Sequence, residues 1–141
     1  MFSYNADATQ ITMHAGDTGA FKIHATRKTG EDWTEDDRML FTVKNPSGEI
    51  VMQRFYRLDN QWGQGDGIVL IEFHNDDTDE WPQGEYTMER RYDLNPVWQG
   101  TPSTARCVNA LSPGAAKMIE GDVVRTVFSG TLKIEPVVGD I

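Results

Sequence analysis

The segment "DTDEWPQGEYTMERRYD", residues 77–93, passes from an acidic turn through a Pro and a Gly into an alternating run. Asp77 and Thr78 carry short oxygen-bearing side chains of the kind that satisfy the free N–H groups at the start of a helical turn. Pro82 cannot continue such a turn, because it lacks an N–H and its ring meets the preceding carbonyls. Gly84 supplies the freedom for a tight bend. Tyr86, Met88, Arg90 and Tyr92 then fall on one face of a strand, since successive side chains point to opposite sides. In two-sheet β domains a Tyr near the start of the penultimate strand donates its hydroxyl to backbone a few residues upstream. The residue types predict such a corner, made of Asp77, Thr78, Pro82, Gly84 and Tyr86, with the Tyr86 ring inward. The acids and the Arg pair need no catalysis to explain them.

The rest of the chain has the same punctuation. Residues 11–17 and 18–27 are short strand candidates, the second with Phe21, Ile23 and Ala25 on one side and Lys22, His24 and Thr26 on the other. Residues 38–45 and 49–58 form a hairpin about the Pro46-Ser47-Gly48 turn. "IVLIEF", 68–73, is almost wholly apolar and predicts a central strand buried on both faces. Residues 122–136 predict a long closing strand with a kink at Gly130. No strand–helix–strand alternation points to a parallel sheet. About seven strands with frequent turns predict an all-β chain, a single immunoglobulin-like β-sandwich spanning residues 1–141. Residues 94–121 show no sustained period and predict an irregular insertion, either an arm with its own short structure or a functional loop.

Bulk properties exclude several functions. With 38% apolar and 25% charged residues, a chain of 141 residues can bury a core and is not of disordered composition. The net charge of −9 lacks the cationic excess that nucleic acids and anionic membranes require. One cysteine, Cys107, excludes an intrachain disulfide framework. "MFSYNADATQ" has no basic start followed by an apolar run, so no signal peptide is expected. The chain is expected to be soluble and made in a cytoplasm.

Candidate chemistry is sparse. "EDWTEDD" (31–37) and "NDDTDE" (75–80) supply oxygens that suit Ca²⁺, but without the spacing of a calcium-binding loop, and solvated acidic loops are the expectation. His14, His24 and His74 stand apart from one another, whereas zinc sites usually draw on close pairs. Cys107 has no neighbouring base in sequence. "GQGDG" (63–67) precedes a strand, whereas a phosphate-cradling loop follows one. With 22 acids, some carboxylate pair at hydrolase spacing arises by number alone. No catalytic residue, metal or cofactor is expected. Trp33, Trp62, Trp81 and Trp98 all fall in expected loops, where indoles stack on sugars or anchor protein interfaces. Trp33, Trp62, Trp98 and Leu111 are therefore the candidate interface or ligand contacts.

Four pieces in order, "AGDTGAFKIHA" (15–25), "DRMLFTVKNPSGEIVMQRFY" (37–56), the 77–93 corner and "TVFSGTLKIEPVV" (126–138), carry a resemblance. The chain resembles the N-terminal β-sandwich domain of phage baseplate upper proteins and related prophage tail proteins of Gram-positive bacteria. The resemblance implies a non-enzymatic virion structural module that acts by protein–protein assembly, with itself or with other tail proteins as partners. It carries over no catalytic residues. The family joins the Tyr strand to the closing strand by a tight hairpin, whereas here residues 94–121 intervene. The alternative expectation is a carbohydrate- or ligand-binding module that uses the loop tryptophans.

Overall fold

The computed structural model of the protein describes residues 2–5, 8–26, 32–59, 67–100, 107–111, 117–125 and 130–136. Along them run β1 (Ser3–Tyr4), β2 (Gln10–His14), β3 (Gly19–His24), β4 (Arg38–Lys44), β5 (Ile50–Arg57) and β6 (Ile68–Phe73). These are followed by α1 (Asn75–Thr78), β7 (Gly84–Gln99), β8 (Cys107–Asn109), β9 (Lys117–Arg125) and β10 (Gly130–Glu135). The protein is all-β, as its alternation predicts. The described strands number ten rather than about seven, because β1 precedes the expected set and the arm contributes β8 and most of β9.

The larger sheet has the order β1-β2-β10-β7-β4-β5-β8, with β9 also paired to β7. β3 and β6 form a second, two-stranded sheet. β2 and β10 run parallel, and the other pairs are antiparallel. Both sheets feed one core. Phe21 and Phe73 of the smaller sheet meet Phe41 of the larger at ring-centroid distances of 6.3 and 6.4 Å. Period-two alternation selects the inward set: Phe21 and Ile23 in β3, Tyr86 and Met88 in β7, Leu132 and Ile134 in β10. Each such side chain contributes about 1.5–3 kcal/mol on burial.

The β4–β5 turn is built by Asn45, whose Oδ1 accepts from the Ser47 and Glu49 N–H groups at 3.0 and 2.9 Å. Gly48 closes it at φ +85°, in the left-handed region that costs a glycine nothing. A register shift follows, which sets Ile50 opposite Lys44.

Three expectations are corrected. β6 is not a central strand: it pairs with β3 alone among the described strands, with Val69, Ile71 and Phe73 buried and Ile68, Leu70 and Glu72 half-buried. The strand buried on both faces is β4, Arg38 through Val43, because β5 and β7 flank it and their long side chains cover its outer face. Residues 94–121 are not irregular throughout. β7 continues to Gln99 and pairs with β9 from Arg91↔Arg125 to Gln99↔Lys117, while β8 crosses to the edge of β5. The expected single strand at 122–136 is accordingly the end of β9 and all of β10.

Candidate functional site

The face of β4 that points away from the core carries Arg38, Leu40 and Thr42, exposed by only 6, 6 and 5%. Strand registers place each in a cross-strand row: Asp93–Arg38–Arg57, Arg91–Leu40–Phe55 and Glu89–Thr42–Gln53. Neighbouring strands lie about 4.8 Å apart, so members of a row touch.

The first row is ionic. Arg91 donates from Nε and Nη2 to the two oxygens of fully buried Asp93 at 2.8 and 2.9 Å. Arg57 donates in the same bidentate manner to Asp59 at 3.1 and 2.6 Å. Arg38 Nη1 donates to the carbonyls of Asp37, at 3.0 Å, and Glu35. Burial, and then the neighbouring Arg57, pushes the Arg38 guanidinium below its ordinary value. Asp37, also fully buried, accepts from the Thr34 N–H at 2.8 Å and from the Asn95 N–H at 3.0 Å. Asn95 is the point where the arm leaves the sheet: its φ is +49°, and the β7–β9 register shifts between Leu94 and Val97. A buried carboxylate therefore holds the base of the arm.

Beyond Arg91, the second row is apolar. Trp98 meets Phe55 edge to face at 5.3 Å, and Val108 of β8 stands opposite Phe55. Trp98 Nε1 is buried with no hydrogen-bond partner among the described residues.

The third row is open. Gln53 Nε2 donates to Thr42 Oγ1 at 3.1 Å, and Lys44 Nζ to Glu89 Oε1 at 3.2 Å. With Leu40 and Ile50 these side chains line a groove of about 310 Å³, which Arg90 and Arg91 also border.

The corner residues come together. Tyr86 is 1% exposed and donates its hydroxyl to the Pro82 carbonyl at 2.7 Å, and burial raises its pKa. Trp81 stacks on Tyr86 at 5.1 Å. Fully buried Thr78 accepts from the Gly16 N–H at 2.9 Å, tying the corner to the β2–β3 turn. Asp77 accepts from the His74 N–H at 2.7 Å, as a capping acid does, and its other oxygen pairs with Arg54 of β5 at 2.7 Å. At Gly84, φ +154°, a Cβ would stand 3.0 Å from Pro46 Cγ.

The aromatic candidates scatter. Trp33 is an interior residue, 9% exposed, donating to the Ala25 carbonyl at 3.0 Å and stacked on Tyr92, so it is not available as a surface contact. Trp98 lies in a strand rather than a loop. Trp62 falls outside the described residues. Leu111 is 50% exposed. Cys107 is half-buried, and burial raises its thiol pKa, which opposes the thiolate a nucleophile needs. His14 and His24 lie in β2 and β3, and His74 precedes α1. Among the described residues no group of three or more His, Cys, Asp or Glu could hold a metal ion, and no helix is long and apolar enough to cross a membrane.

The ionic row was not anticipated from sequence. Its signal is nevertheless present as Arg57-x-Asp59 at the end of β5 and Arg91-x-Asp93 within β7, each a pair of oppositely charged residues at same-face spacing. Searches against protein-family models, curated proteins and solved structures find no match to this chain.

Proposed function

We propose that this chain is a non-enzymatic structural module of phage or prophage tail type, which works by protein–protein assembly on an immunoglobulin-like sandwich. The fold reading draws support from the strand order. β2-β10-β7-β4-β5 lies against β3–β6, and Tyr86 bonds upstream at the start of the strand beside the closing one. The functional reading rests on the arm. Its β7–β9 ribbon is fixed at the base by the Asp37–Asn95 bond and on one side by Trp98 against Phe55. On a scaffold held in this way, Val97 and Leu111 are 48 and 50% exposed. Apolar side chains presented by a fixed element suit docking, since little ordering is lost on contact. The partners are copies of this chain or other tail proteins, and the chain would then be a virion component.

Light scattering coupled to size exclusion tests the reading. The parent chain is expected to show a mass that rises with concentration, and Val97→Asp or Leu111→Asp to return it to the monomer. A parent that stays monomeric throughout, and binds no tail protein in a pairwise screen, overturns it. The alternative, ligand binding on loop tryptophans, has less support, because the Trp33 ring is interior and that of Trp98 lies against Phe55.

A further inference from the structure

We propose that the open third row on the outer face of the larger sheet is a binding site for an uncharged saccharide unit, independent of the tryptophans and of the arm. The argument starts from what the groove offers. β4 is hydrogen-bonded on both sides, to β5 and to β7. Its backbone groups are spent in the two ladders, so an incoming peptide cannot be bound there by adding a strand, the usual source of affinity for extended chains. Recognition has to come from side chains.

Those side chains form an ordered set of donors and acceptors. Gln53, Thr42 and Glu89 stand side by side across three strands, about 4.8 Å from one to the next. Gln53 uses one amide hydrogen on Thr42 Oγ1. An amide carries a second hydrogen and a carbonyl oxygen to offer a ligand, while Thr42, 5% exposed, holds that amide in place from below. Lys44 joins Glu89 through one oxygen, with side chains 34 and 52% exposed, so both retain bonding capacity toward solvent. Amide, carboxylate and ammonium in sequence match a ligand whose neighbouring groups each both donate and accept, which is what vicinal hydroxyls do. Ile50, 43% exposed, beside the row provides aliphatic surface for the C–H face of a sugar ring, above a floor formed by buried Leu40.

Charge selects against anions. The Lys44 ammonium is matched by Glu89, the Arg91 guanidinium by Asp93, and Arg90, the third cation at the groove, is itself engaged. The groove thus lacks the unmatched cation that would favour a phosphate or carboxylate, and the net charge of −9 on the whole chain opposes anions further. A volume of about 310 Å³ sits at the small end of ligand sites, which fits one or two sugar units rather than a long glycan.

Amide shift mapping of the full chain with the methyl glycosides of glucose, galactose and N-acetylglucosamine tests the proposal. Glucuronic acid and a tetra-alanine peptide serve as contrasting probes. At least one neutral glycoside is expected to shift the amides of Thr42, Gln53 and Glu89 in a saturable manner. Glu89→Ala and Gln53→Ala, whose thermal melts report that the fold is kept, are each expected to weaken that binding about tenfold, or 1.4 kcal/mol. Val97→Asp, which bears on assembly, is expected to leave it unchanged. The proposal is overturned by the absence of saturable shifts with all three glycosides, by shifts confined to other surfaces, by stronger binding of the acid or the peptide, or by binding that survives both groove substitutions.

Discussion

The two faces of β4 are equally closed to water and are closed in different ways. Toward the core, Met39, Phe41 and Val43 lie among other apolar side chains contributed by both sheets. Away from it, Arg38, Leu40 and Thr42 are buried under side chains from β5 and β7 that are mostly charged or polar. The inner face gains from removing apolar area from water, a non-directional effect that tolerates some rearrangement. The outer face holds only while each charge keeps its partner, because an unpaired buried charge or N–H is costly. A strand can thus be buried twice in one domain, once by area and once by bonding. The second kind fixes the base of the arm, through the Asp37–Asn95 bond, while the Trp98–Phe55 contact holds its side.

That contrast can be broken from either side. The largest effect is expected at Phe41→Ala, which leaves a cavity where three phenylalanine rings meet and should cost about 3–5 kcal/mol in urea unfolding. A loss below that range would show that the core collapses around the gap. Asp37→Ala removes the shared acceptor of the Thr34 and Asn95 N–H groups and should cost about 1–3 kcal/mol. Hydrogen exchange should quicken selectively at Asn95 and the arm amides, and an unchanged arm would mean that Asp37 does not anchor it. Tyr86→Phe removes the donor to the Pro82 carbonyl and should cost about 1 kcal/mol. A neutral result would remove the corner from the list of features that hold the sheets in register.

Burial raises the hydroxyl pKa of both Tyr56 and Tyr86 above the unfolded value. Folding therefore favours their protonated forms. The stability they contribute is fully present below the unfolded pKa of about 10 and is lost as pH rises above it. A melting temperature that does not fall in alkaline buffer would contradict this. The smallest effect is expected at Trp98→Phe. The indole N–H has no acceptor among the described residues, so losing it offsets the loss of ring area, and the chemical denaturation midpoint should stay nearly unchanged.

Much of the inner face was legible in the sequence. Phe21 and Ile23, Tyr86 and Met88, and Leu132 and Ile134 follow the period of two that any half-buried strand imposes. The corner was legible because each of its residues has a local reason: a capping acid, a Pro that stops a turn, a Gly that bends. The error over "IVLIEF" has a physical origin. An apolar run reports that side chains avoid water, and Ile68 and Leu70 are only half-buried, so the run does not require a covering layer on both sides. "RMLFTVK" concealed its double burial because Arg38 and Thr42 read as solvent-facing until their partners are known. The groove proposed to take a saccharide was illegible for the same reason. Gln53, Thr42 and Glu89 are 11 and 47 residues apart along the chain, and only the register of three strands makes them neighbours.

The sequence alone determined that this chain is all-β, where the corner turns and which side chains of most strands enter the core. These follow from local conformational preference and from hydrophobic periodicity, which act over a few residues. Tertiary structure alone decided that residues 94–121 extend the sheet as a paired ribbon, that β4 and not β6 is enclosed on both faces, and that Asp37 reaches Asn95. Each of these depends on pairing between distant segments, and the free energy of a buried ion or hydrogen bond exists only once both partners have been brought to the same place.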